Sequence, residues 1–151
     1  MSTRADAVLT INSAITQLMR RIRRIDEAQG IGRARLSALA VLHFGGPCSL
    51  TELAETEMVS RATMHHVVQG LATDRLIRRS NDPHDARRQV ISLTARGRAL
   101  INRAHRARLQ YLAELTDGIT TADLWSTART LDRLRTAARD RGADTGAPER
   151  S

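Results

Sequence analysis

The sequence predicts a mainly α-helical fold carrying one small β-hairpin, and three observations predict it. Apolar residues recur at spacings of three and four over most of the chain, which is the helical period. One stretch breaks that period: Leu76-Ile77-Arg78-Arg79 and Gln89-Val90-Ile91-Ser92-Leu93 flank a polar tip, SNDPHDARR at 80–88, the pattern of a hairpin. Capping signals at Ser49, Ser60 and Thr94 then divide the helical remainder into separate helices. With 151 residues, 41% of them hydrophobic, the chain is about one domain long and has enough apolar material for a core.

The first helix places Val8, Ile11, Ile15, Leu18, Ile22 and Ile25 on a narrow apolar seam of the coiled-coil kind, and Gly30 and Gly32 end it. Residues 33 to 44 form a second, shorter helix, stopped by Gly45-Gly46-Pro47. Ser49 with Glu52 makes a capping box that opens a third helix, Leu50 to Glu57. Ser60 caps a fourth, running to Ala72, and the hairpin follows at once. Thr94 caps a long helix to about Leu115, with Leu100, Leu109, Leu112 and Leu115 on its apolar side. A turn at Gly118 leads to a last helix, Thr121 to about Arg141, carrying Leu124, Leu131 and Leu134. The remainder, Gly142 to Ser151, is polar with Gly and Pro and reads as a disordered tail. The division expected is an N-terminal dimerisation helix at 1–32, a winged helix-turn-helix at 33–97, C-terminal dimerisation helices at 98–141 and the tail at 142–151. A dimer is expected because the terminal helices carry more apolar stripe than a monomer of this size can bury.

Charge narrows the function. Residues 75 to 108 hold ten arginines against two acids, Asp82 and Asp85, a local surplus equal to the net charge of +8 for the whole chain. A polyanion is the expected partner, and a polar-faced helix followed by an arginine-tipped hairpin fits double-stranded DNA. Three aromatics in the chain argue against single-strand binding, which needs stacking platforms. All 24 basic residues are arginine, which suits bidentate phosphate and guanine contacts, although GC-rich codon usage produces the same bias. The N-terminus lacks the apolar core of a signal peptide, and the longest apolar run, Leu36 to Phe44, is too short for a membrane span; a cytoplasmic location is expected.

On the fourth helix, a 100° step groups Met64, Val67, Val68 and Leu71 toward the core and leaves Arg61, Ala62, His65, His66 and Gln69 facing out. Arginine pairs with guanine, glutamine with adenine, and a small alanine leaves room for a thymine methyl. Ser60 and Thr63 stand at the helix start, where Thr63 and the backbone N–H groups can meet a phosphate. On the wing, Arg78, Arg79 and Arg88 alternate in direction, so that about half reach phosphate. Arg87 is the sharpest single candidate, with Asp85 orienting it rather than touching DNA.

Three segments in this order and spacing resemble the MarR family of bacterial transcription regulators: LTELAETEMVSRATMHHVVQGL, NDPHDARR with its Asp-x-Arg at Asp85 and Arg87, and ISLTARGRAL. The resemblance implies a homodimer whose first and last helices interlock, each winged domain reading half of a palindrome. It implies that Arg87 enters a minor groove while Asp85 braces the wing. It also implies a repressor released by a small, often phenolic or lipophilic, anion. The expected walls of that effector site are the apolar side of Leu36 to Phe44 and the facing first and fifth helices. One departure stands out: the family commonly has glycine where this chain has Arg75, so either Arg75 takes a strained left-handed conformation or Asp74 makes the turn.

Adjacent helical positions set His65 and His66 too far apart for one metal ion, and His43 and His105 meet only through the fold, so no metal or cofactor is expected. Cys48 lies in a turn after Gly45-Gly46-Pro47 and reads as an inert small residue rather than a redox sensor. Asp82, His84 and Asp85 cluster like a catalytic group but sit on a projecting hairpin with no nucleophile, so no enzyme activity or catalytic residue is expected. The rival class is a winged-helix protein-interaction module without sequence-specific DNA binding.

Overall fold

The computed structural model describes residues 3–85 and 87–144, with side chains to residue 141. Six helices and one hairpin follow in the expected order: α1 Arg4–Glu27, α2 Arg33–Gly45, α3 Leu50–Thr56, α4 Arg61–Thr73, β1 Ile77–Asn81, β2 Gln89–Leu93, α5 Ala95–Leu115 and α6 Thr121–Asp144. This is a mainly α fold with a β-hairpin wing. The chain divides into two compact units after Gln110, inside α5. The last helix runs three residues past Arg141, and the rest of the expected tail, from 145 onward, lies outside the described residues.

The first unit has one core, built where α2, α3, α4, the hairpin and the start of α5 meet. Leu39, Leu53, Met64, Val68, Leu71 and Leu76 are fully enclosed. Those positions on α4 are three and four apart, so burying them fixes which face of that helix remains outside. The capping serines sit as the sequence predicts. Ser49 accepts from the Glu52 N–H while Glu52 accepts from the Ser49 N–H, and Ser60 accepts from the Thr63 N–H.

The α4 end resolves the question at Arg75. Arg75 adopts φ 57° and Asp74 stays at φ −81°, so arginine takes the left-handed position. The Arg75 N–H bonds to the Ala72 carbonyl at 2.9 Å and the Leu76 N–H to the Leu71 carbonyl at 2.9 Å, a Schellman closure with both leucines in the core. That hydrophobic clasp offsets the cost of roughly 1 kcal/mol for a left-handed non-glycine residue. Arg35 of α2 then donates to the Gly70 carbonyl at 3.0 Å and pairs with Asp74, placing a cation at the negative end of α4.

The two strands pair antiparallel, from Ile77 opposite Leu93 to Asn81 opposite Gln89. A third strand position comes from Cys48, which exchanges both backbone bonds with Ile91, at 3.2 and 2.8 Å. The hairpin is therefore anchored to the segment that opens α3. No helix among the described residues is long and apolar enough to cross a membrane.

The apolar stripes of α1, α5 and α6 are left largely exposed, as expected of stripes too large for a monomer to bury. Helix α1 contains no buried residue, and Val8, Leu9, Ile11, Ile15, Leu18 and Met19 are 39 to 67% exposed. On α5, Leu100 is buried but Leu109 is exposed; on α6, Leu131 and Leu134 are exposed.

Candidate nucleic-acid interface

Helix α4 presents the face that its core periodicity leaves over. Ser60, Arg61, Ala62, Thr63, His65, His66 and Gln69 are all exposed, while Met64 and Val68 point inward. The Ser60 hydroxyl is engaged at 3.1 Å with the Thr63 N–H and at 2.8 Å with the Thr63 hydroxyl, so both side chains serve the helix start.

The wing separates the five residues predicted on it into different roles. Arg79 and Arg87 are exposed and take no ion-pair partner among the described residues. Arg78 donates from Nε to the Ser92 hydroxyl across the strands at 3.1 Å. Asp85 acts on the backbone, where the sequence pointed to the side chain of Arg87: its Oδ1 accepts the Arg87 N–H at 3.0 Å, which shapes the turn without holding the guanidinium. Ala86 lies outside the described residues. Arg88 is occupied: its Nη2 lies 2.6 and 2.5 Å from the two carboxylate oxygens of Glu52, and its Nη1 is 3.3 Å from Asp82.

Glu52 is the residue that sequence reasoning missed as a site component. Its capping role was legible from Ser49 three residues earlier, but its partner on the wing is 36 residues away and no local pattern announces it. The Ser49 N–H and hydroxyl, then Arg88, hold its carboxyl at about 2 against an ordinary 4.5. A groove of about 280 Å³ opens beside this pair, lined by Ser49, Leu50, Thr51, Arg61, Arg79, Arg88, Gln89 and Ile91. It brings Arg61 of α4 and Arg79 of β1 to one place.

The residues weighed for other chemistry are accounted for structurally. Asp82 accepts the His84 N–H at 2.8 Å and Arg88, so the acid cluster builds the tip. Cys48 is half-buried; burial and then the charge of Glu52 push its thiol up, against a smaller opposing pull from Arg88. Among the described residues, no group of three or more His, Cys, Asp or Glu side chains is placed to hold a metal ion. His43 and His105 each pack against Phe44 in T-shaped contacts, at ring distances of 4.8 and 5.5 Å.

The sequence profile of the MarR family matches residues 29–88, the span from the end of α1 to the wing. An HTH-type transcriptional regulator of Mycobacterium bovis is 31% identical over 104 residues, covering 69% of this chain and 73% of its own length. This chain belongs to the MarR family of transcription regulators. The HTH-type transcriptional repressor NicR of Pseudomonas putida is 36% identical over 64 residues, 42% of this chain and 40% of that one. Among solved structures, a MarR family protein from Bacillus stearothermophilus superposes with a TM-score of 0.81 at 22% identity, covering 92% of this chain and 99% of that one. The fold is thus a winged helix of the MarR kind, and the family is one of DNA-binding regulators rather than enzymes.

Proposed function

We propose that the chain acts as a homodimeric repressor that binds a palindromic operator and releases it on binding a small effector. The observation that carries the DNA reading is the exposed polar face of α4 lying beside a wing whose Arg79 and Arg87 are unpaired among the described residues. In this reading α4 enters a major groove, where Arg61, Ala62, His65, His66 and Gln69 meet base edges and Ser60 and Thr63 lie near phosphate. Arg87 enters the adjacent minor groove, and Arg78 and Arg79 follow the backbone.

The exposed seam of α1, with Trp125, Leu131 and Leu134 of α6 at 45 to 63% exposure, supports the dimer, because a monomer rarely leaves so much apolar helix surface in water. Helix 1–32 and the helices of 98–141 are the proposed dimerisation segments around the winged domain at 33–97. Two copies related by a twofold axis read a site of the same symmetry. Occupying a promoter in this way blocks transcription, and the NicR relative is named a transcriptional repressor, which supports that sign of regulation.

Phe44 supports an effector site. It is 68% exposed and in T-shaped contact with two imidazoles, a setting that fits a small aromatic or phenolic anion. The expected wall at Leu36, Leu39 and Leu42 is instead spent on the core, which leaves Phe44 as the exposed end of that helix.

The test is selection of bound sequences from a random duplex pool, followed by affinity measurements at two salt concentrations. Recovery of an inverted repeat and a steep loss of affinity with salt are expected. A pool with no enriched sequence, bound with no salt dependence, would overturn the reading.

A further inference from the structure

We infer that Arg88 and Glu52 form a strut that sets the wing against α3, so that both are positioning residues for DNA binding and Arg88 makes no DNA contact of its own. This rests on the DNA-binding reading above. A guanidinium whose fork is spent on the carboxylates of Glu52 and Asp82 has little left to offer a phosphate. The same residue is tied to the tip loop through its backbone: its N–H donates to the Asp85 carbonyl at 2.9 Å, and its carbonyl accepts the Asp82 N–H at 2.7 Å. Moving the Arg88 side chain therefore moves the loop that carries Arg87.

The wing is thus fastened at two heights. Cys48 grips Ile91 in the middle of β2, and Cys48 directly precedes Ser49, the cap of α3. Arg88 grips Glu52 one residue before β2 begins, at the base of the tip. Without the upper fastening, the hairpin beyond Ile91 keeps its strand pairing and the burial of Val90 but loses its ion pair to α3.

The strut makes a prediction opposite in sign to simple electrostatics. Glu52 is a negative charge next to a groove that holds Arg61 and Arg79, so deleting that charge should tighten DNA binding if charge alone matters. If it holds the wing in place, deleting it should weaken binding.

The experiment uses the full chain with Glu52→Gln, Arg88→Gln and both together. Glutamine at this position still completes a capping box, so α3 stays capped, and melting curves confirm the fold. Affinity for the selected duplex is read by fluorescence anisotropy at two ionic strengths. Glu52→Gln is expected to weaken binding about fivefold per wing, the most that an exposed ion pair supplies. The loss should shrink at the higher salt, where the exposed Arg88–Glu52 pair is itself screened, but should not change sign. The double variant should bind no more weakly than Arg88→Gln alone, because the two residues act through one contact. Equal or tighter binding by Glu52→Gln at both ionic strengths, or fully additive losses, overturns the strut and makes Arg88 a direct contact. Wild-type protein with no salt-sensitive duplex binding is a separate result and overturns the DNA reading together with this one.

Discussion

Replacing Gly97 by alanine tests how the start of α5 is joined to the corner between α4 and β1. Gly97 lies in the first turn of α5, where an added Cβ would fall 2.0 Å from the Leu76 carbonyl oxygen and 2.9 Å from its carbonyl carbon. The clash is with backbone, and that backbone is pinned. The Thr94 N–H bonds to the Leu76 carbonyl at 3.1 Å, the Thr94 hydroxyl donates to the Arg75 carbonyl at 2.7 Å, and it accepts the Gly97 N–H at 3.0 Å. Relief requires α5 and the α4–β1 corner to part by about 1 Å or more, well beyond what a van der Waals contact absorbs.

Overpacking of this kind costs about 1–3 kcal/mol. Loss of the Thr94–Leu76 bond adds about 1 kcal/mol. Alanine's advantage over glycine in a helix returns about 0.5–1 kcal/mol. The net expectation is a destabilisation of about 2 kcal/mol, read as a shift of about 1 M in the urea midpoint for a slope near 2 kcal/mol/M. Protein concentration must be held constant, since a dimer's midpoint depends on it.

Gly70→Ala in α4 is the control. Its nearest neighbour would be the Arg35 Nε at 3.6 Å, an ordinary contact, so the propensity gain should appear unopposed as a small stabilisation. If Gly97→Ala proved as stable as the wild type, the corner would not be rigid and the argument from close approach would be wrong.

Four further outcomes are expected. Light scattering should return twice the 16.7 kDa chain mass at micromolar concentration, and a monomer mass would refute both the dimer and the palindrome. Arg87→Ala should weaken operator and random duplex alike and reduce the salt slope by about one per subunit, whereas His65→Ala should cost about 1–3 kcal/mol at the operator only. Unchanged affinity in a folded, dimeric Arg87→Ala protein would favour a protein-interaction module instead. Cys48→Ser should leave DNA affinity and peroxide response as they are, because burial and Glu52 push the thiol up and away from the reactive thiolate; wild-type loss of binding under mild peroxide, absent in the serine variant, would contradict this. Glu52 titrates below its ordinary 4.5, so its stabilising contribution is present above that pH and lost as pH falls toward about 2. The melting-temperature gap between wild type and Glu52→Gln should therefore be widest near neutrality and close between pH 4.5 and about 2, and a gap independent of pH would show that the pairing is not felt.

Local order was legible without the structure because its causes are local. The capping boxes span three residues, the helical periods span four, and the hairpin's break in period is contained in one stretch, so Ser49, Ser60, Thr94 and the α4 face could be placed from the chain alone. The oddity at Arg75 was visible as a missing glycine only against the pattern of the family the chain resembles. Which residue would bear the left-handed turn was not, since that depends on Leu71 and Leu76 closing over the core and on Thr94 receiving the Arg75 carbonyl. The division of labour among the wing arginines was likewise decided by tertiary contact. Arg78, Arg79, Arg87 and Arg88 are chemically identical and close in sequence, but only Arg88 meets a carboxylate brought from 36 residues away. The same holds for Gly97, a glycine in an ordinary helical turn until the fold sets another chain segment 2.0 Å from where its side chain would be. Short-range hydrogen bonding and apolar periodicity write themselves into neighbouring residues; ion pairs and close backbone approaches join segments whose separation only the packed core sets.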